Sequence, residues 1–452
     1  MHSKVPFGTD DAVLGVAEGE YTRYPGLPEN ETRHRTLTLI TKDIPSAEFF
    51  RDIDRMFGEQ YILFQYTLDE LTGMRHGLPS TFHRIASLFP DLFPDVTVNP
   101  RARMLQIQTE IQSRVSTTDA AIIHSRRTMD TATSKVRTLL RIGGLCEGIG
   151  IRTDFHAADF APYTEERIDD ILIQFKREMI GLYNRIDWPL TQVPTVTLEE
   201  RLTPSEKIKF GYREWMRSTL GDNLDAIGVY GSSTQTDDIE KYDDYDNWVI
   251  VKDLPAAYNA LRATKPKYDL SQGTISAEGK HLGILLFPSG GKMLDDYMRF
   301  LDDSEEFRTK MKIIHGSLTF PITLPRENTE RGISQSYVKA KTTADAVANF
   351  LHKPEQLLNK NLFEFFVKIL RFNYKNAIRY HEGIVLTKEE LDKRLRKEHG
   401  IAVPKYREDA KYLVEQLIYA RQCTAYLQRE LFKGIELNYD YFTADIPRLR
   451  AA

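Results

Sequence analysis

The 452 residues carry 61 Lys and Arg against 65 Asp and Glu, a net charge of −4, with 41% apolar and 28% charged residues. That is the balance of a folded globular protein of roughly three domains at about 150 residues each. It excludes a disordered or collagen-like chain, and it provides no whole-molecule field to attract nucleic acid or an anionic membrane.

The N-terminus, Met1 to Asp11, lacks the apolar run that a signal peptide requires, and no stretch approaches the ~18 apolar residues of a membrane span. The expected location is the cytoplasm, with no membrane partner. The first 45 residues hold one strand-like run, Thr36–Ile40. From about 46 to 220 helical spacing dominates: Phe49, Phe50, Ile53 and Phe57 recur on one face, and Met104–Ile142 is long and poor in glycine. Residues 101–142 carry eight Lys and Arg against three carboxylates, read as a solvated helix face in preference to a nucleic-acid surface. Gly143-Gly144, then Gly148 and Gly150, are expected to break that helix. Cys146 and Cys423 are the two cysteines, too few for a zinc cage or a secreted disulfide framework, so buried thiols in a reducing compartment are expected. His34, His124, His156 and His315 are isolated and lack metal-ligand spacing.

Around 221 the period becomes that of strands. Runs at about 226–230, 246–251, 273–278 and 281–287 are expected to form one sheet, preceded by a helix over Ser205–Leu220. Pro255–Ala263 reads as a helix between strands, and Glu278-Gly279-Lys280 as a hairpin turn. A helix near Met293–Phe300 and an irregular, Pro-containing stretch to about 335 follow. Helices return from Thr342 to Leu431, punctuated at His381-Glu382-Gly383. The expected organisation is a largely helical region of unknown role over 1–200, a small mixed-sheet domain over 201–335 and a helical bundle over 336–452. The fold class is α+β, mostly helical overall.

Chemistry concentrates in one segment. A strand ending at Tyr230 leads into Gly231-Ser232, and after eleven intervening residues Asp244-Tyr245-Asp246 enters the next strand. Residues i and i+2 of a strand share a face, so the two carboxylates project together. Convergent carboxylates anchor a hard divalent ion beside substrate phosphates, and a Gly-Ser turn lets backbone approach a phosphate closely. Asp237, Asp238, Glu240 and Asp243, in the connecting loop, read as surface charge.

Tyr230-Gly231-Ser232 and Asp244-Tyr245-Asp246, in this order of elements, resemble the nucleotidyltransferase superfamily of the polymerase-beta type over roughly 205–290. The resemblance implies a Mg²⁺-dependent enzyme that moves a nucleoside monophosphate from ATP or another NTP to a hydroxyl, releasing pyrophosphate. The acceptor it allows is a small molecule, an RNA or a protein, although net charge does not point to RNA. In that reading Asp244 and Asp246 hold two Mg²⁺, and Gly231, Ser232 and Ser233 grip the nucleotide. One departure is plain. The position where the family carries a third carboxylate corresponds to Gly283, which leaves His281, two residues earlier on the same face, and Glu278, before the turn, as candidate bases. The alternative is a catalytically degenerate fold acting as a nucleotide-binding or interaction module.

Near the C-terminus, Lys368, Arg371, Lys375 and Arg379 fall at i, i+3, i+7 and i+11, a basic stripe beside an apolar one. Antibiotic nucleotidyltransferases look similar in pairing the catalytic domain with a helical bundle, and this resemblance gives Lys368 or Lys375 a role on the triphosphate. A solvated face balanced by Glu364 and Glu382 is the alternative for each residue.

Overall fold

A computed structural model describes residues 13–20, 23–28, 35–57, 61–123, 128–236, 238, 242, 244–264, 268–269, 274–277, 280–299, 311–350 and 354–449. The architecture is α+β and mostly helical, with small mixed sheets, as the sequence predicts. Among the described residues no helix is long and apolar enough to cross a membrane.

The chain forms two compact units that interleave along the sequence. One comprises 1–23, 29–106 and 329–440; the other comprises 24–28, 107–328 and 441–452.

The first unit contains a three-stranded sheet. Strand Val13–Glu20 runs antiparallel to Arg35–Thr41, which runs parallel to Tyr61–Thr67 across the helix Ala47–Phe57. Two of these strands differ from the expectation. Tyr61–Thr67 lies in a stretch read as helical, because its run Tyr-Ile-Leu-Phe-Gln-Tyr-Thr is rich in aromatic and β-branched residues that suit a buried strand. Val13–Glu20 alternates weakly and goes unnoticed at the sequence level. Leu37, Leu39, Phe50 and Leu63 form a core with Val347, Phe363, Leu413 and Leu417 of the C-terminal helices. Arg421, buried on helix Ala410–Leu431, donates to both Glu70 oxygens (2.9 and 2.7 Å) and to Gln65. Glu70 also closes the capping box of helix Leu68–Gly77, so one buried carboxylate fixes a helix start and a distant helix together.

The second unit is built on a six-stranded sheet. Its order is Lys312–His315, Leu224–Tyr230, Asp244–Val251, Lys280–Pro288, Thr274–Ala277 and Tyr268–Asp269. Asp244–Val251 and Lys280–Pro288 are parallel, joined by a crossover through helix Leu254–Ala263, and the other pairs are antiparallel. All four expected strands are present in this sheet. The edge strand Lys312–His315 and strand Ser317–Pro321 occupy part of the stretch expected to be irregular, and Ser317–Pro321 pairs with Thr195–Glu199, which lies in the region expected to be helical. The helix read over Ser205–Leu220 is two, Pro204–Lys209 and Tyr212–Leu220, parted at Phe210-Gly211. The helix Met129–Glu147 runs straight through Gly143 and Gly144. Each glycine costs about 1 kcal/mol there, and burying Leu139, Ile142 and Cys146 on one face outweighs it. Burial pushes the Cys146 thiol up to about 12, so it is inert. Lys135, expected on a solvated face, is instead buried, its ammonium donating to Thr117 Oγ1 at 2.8 Å; burial lowers it to about 8.

Among the described residues, strand Lys280–Pro288 meets Thr274–Ala277 only at Lys280 and His281. Further along its edge, Leu286 is met by two fully buried side chains. Its N–H donates to Asp119 Oδ2 (3.1 Å) and its carbonyl accepts from Lys176 Nζ (2.7 Å). Lys176 and Tyr258 also donate to Asp119 Oδ1. Burial works against both charges, raising the carboxyl and lowering the ammonium, and their mutual hydrogen bond opposes it. Helices Pro100–Ile123 and Ile168–Arg185 thereby complete the hydrogen bonding of the sheet edge.

Candidate functional site

The sheet register brings the Gly231 turn and the two aspartates together. Tyr230 pairs with Asp246 across the antiparallel strands, and Gly283 pairs with Asp246 and His281 with Asp244 across the parallel ones. Paired residues share a face, so Tyr230, Asp244, Asp246, His281 and Gly283 line one surface. Asp244, Asp246 and His281 are each half-buried.

Gly231 adopts φ +80° and ψ −160°, open to glycine and strained for other residues. A Cβ on Gly231 would stand 2.9 Å from Asp246 Oδ2. Gly283 lies on the other side of the same carboxylate: a Cβ there would stand 3.2 Å from Asp246 Oδ1. Asp246 is thus flanked by two glycines whose missing side chains make room for it. After the turn, a single 3-10 turn spans Ser232–Thr234, held by Thr234 Oγ1 donating to the Gly231 carbonyl at 2.9 Å. Ser232 is exposed, whereas Ser233 is buried and its hydroxyl is directed at the Tyr230 carbonyl (3.5 Å).

Behind the carboxylates the face turns aromatic. Tyr230 stacks on the fully buried Trp248 at 4.5 Å, and Tyr297 meets Trp248 edge-on. Burial first, and then the charge of Asp246, push the Tyr230 phenol well above its usual range, so it stays protonated beside the carboxylates. On the opposite face, buried Asn247 accepts from Tyr212 Oη (2.7 Å) and donates to the carbonyls of Gly283 (3.0 Å) and Tyr245 (2.9 Å). Asn247 therefore ties the strand of Asp246 to that of Gly283. Sequence reasoning passed over it, although an amide inside the run Asp-Tyr-Asp-Asn-Trp-Val is a signal, since a buried amide requires partners.

Of the other residues singled out in the sequence, Glu278, Asp237, Glu240 and Asp243 lie outside the described residues. Lys368 and Lys375 belong to helix Lys360–Glu382 of the other compact unit. Their row is not one solvated stripe. Lys368 is exposed and Arg371 pairs with Asp392 at 2.7 and 2.9 Å, while Lys375 is half-buried and Arg379 buried. Glu364 pairs with Lys360, and Glu382 with Arg394.

Two carboxylates on a strand beside a Gly-Ser turn whose Ser232 is exposed supply hard oxygen donors next to polar groups suited to phosphate. Among the described residues no three His, Cys, Asp or Glu side chains gather as a metal cage. Compared with known proteins, the chain matches no family model and no curated protein.

Proposed function

We propose that the second unit is a nucleotidyltransferase that moves a nucleoside monophosphate from an NTP to a hydroxyl acceptor, releasing pyrophosphate. The observation that carries this reading is the Asp246 carboxylate set against Gly231, which joins the acidic pair to the Gly-Ser turn. Asp244 and Asp246 have the hard oxygen donors to hold Mg²⁺, which when bound lowers the pKa of an acceptor hydroxyl and neutralises charge on the leaving phosphates. The exposed Ser232 grips the phosphates. His281, in register with Asp244, is the group positioned to accept the acceptor's proton. The protonated Tyr230 and its stack on Trp248 form a stiff, water-poor backing to the carboxylates.

A second reading, a nucleotide-binding or interaction module without turnover, is favoured by Gly283. It occupies the register position beside Asp246 where a third carboxylate would complete the site. One experiment separates the two: the protein with each labelled NTP, Mg²⁺ or Mn²⁺, and cell extract. Label transfer that falls on the order of 10² to 10⁴ in rate in Asp246→Asn supports the transferase. NTP binding with no transfer supports the module. Full transfer by Asp246→Asn overturns the assignment of that residue.

A further inference from the structure

The carboxylates stand at the start of strand Asp244–Val251, and its far end opens on a different concavity on the order of 25 Å away at about 3.3 Å per residue. Val251 and Pro288 are paired there, closing the two parallel strands. A cavity of about 500 Å³ lies between these strand ends and helix Ile168–Arg185, within the range of small-molecule sites. Its apolar lining is Ile180, Leu254, Pro255 and Pro288.

Its charges are unequal. Arg177 lines the cavity, is exposed, and makes no hydrogen bond or ion pair among the described residues. Lys252 lines it too, its ammonium held by the Asp222 carbonyl at 2.7 Å and 3.6 Å from Asp225 Oδ1. The one lining carboxylate, Asp253, accepts from the N–H of Ala256 and caps helix Leu254–Ala263, which fixes its place in the wall and leaves its charge.

Gly181 is part of the same wall. Inside a helix it costs about 1 kcal/mol relative to Ala, and a Cβ there would meet nothing within 4 Å.

We propose that this cavity binds an organic phosphate monoester. The dianionic head would lie at the Arg177 fork, and the apolar body would lie on Ile180, Leu254, Pro255 and Pro288. The proposal stands apart from the transferase reading and uses none of its residues.

Calorimetric titration of the full chain with phenyl phosphate tests it, with inorganic phosphate and benzoate as the partial probes. Phenyl phosphate is expected to bind saturably and more tightly than either partial probe. Arg177→Ala, on the surface, and Gly181→Leu, which fills open space, are each expected to weaken it about tenfold or more, whereas Asp246→Asn leaves it unchanged. Absence of saturable binding overturns the proposal. So does binding that survives both cavity variants, binding lost in Asp246→Asn, or benzoate binding as tightly as the phosphate.

Discussion

Gly231 and Asp246 are in contact across an antiparallel pair, the glycine Cα set against the carboxylate so that no Cβ fits between them. The turn's backbone conformation and the aspartate's position therefore depend on one another. Gly231→Ala is expected to cost about 1–3 kcal/mol, from the positive φ and from displacing Asp246. Urea unfolding at unchanged slope measures it, and a loss well under 1 kcal/mol would mean that the turn relaxes freely.

Gly283→Asp would place a third carboxylate in register beside Asp246, where a Cβ already stands 3.2 Å from Oδ1. Without a divalent ion, crowding and like charge are expected to destabilise the variant by about 1–3 kcal/mol. Mg²⁺ is expected to restore its thermal midpoint, and Gly283→Asn is expected to gain nothing from Mg²⁺. Equal midpoints with and without Mg²⁺ in the Asp variant would count against an ion site at these carboxylates.

Lys176 and Asp119 are both fully buried and together satisfy the backbone of Leu286. Lys176→Met leaves the Asp119 carboxylate without its cationic partner and the Leu286 carbonyl without the Lys176 donor. The expected loss is about 3–5 kcal/mol, read from denaturant midpoints. A loss below 1 kcal/mol would show that the pair does not hold the sheet edge.

Asp296 is 4% exposed and accepts from Tyr183 Oη at 2.9 Å, a phenol to which Gln108 and Gln112 in turn donate. Burial raises its carboxyl to about 6 from 3.8, against the charges of Lys292 and Arg299 and with that of Asp295. Between these values the folded protein binds the extra proton. Its stabilising contribution is therefore complete below about pH 4 and lost as pH rises through 6. Asp296→Asn keeps an acceptor for Tyr183 and removes the titration. Relative to wild type it is expected to gain about 2 kcal/mol between pH 4 and pH 7, which urea unfolding at the two pH values measures. A parallel pH dependence in both proteins would contradict the buried, protonated carboxyl.

Local pattern alone determined four strands of the sheet around the candidate site. The runs near 226–230, 246–251, 273–278 and 281–287 are short, apolar and bounded by turn residues, and a strand's period of two puts Asp244 and Asp246 on one face before any partner is known. The Gly231-Ser232 turn and the lack of an acid at Gly283 are equally local. Only the tertiary structure decided what lies across from these elements. Strand Tyr61–Thr67 emerges from a stretch of helical periodicity because a parallel partner, Arg35–Thr41, is there to receive it. Strand Lys312–His315 forms because Leu224–Tyr230 presents a free edge. Asp119 and Lys176 look like ordinary helix-surface charges until the backbone of Leu286, more than a hundred residues later, is placed between them. Propensity and periodicity act over neighbours in the chain, whereas burial and hydrogen-bond satisfaction are set by neighbours in space, and a sequence displays only the first.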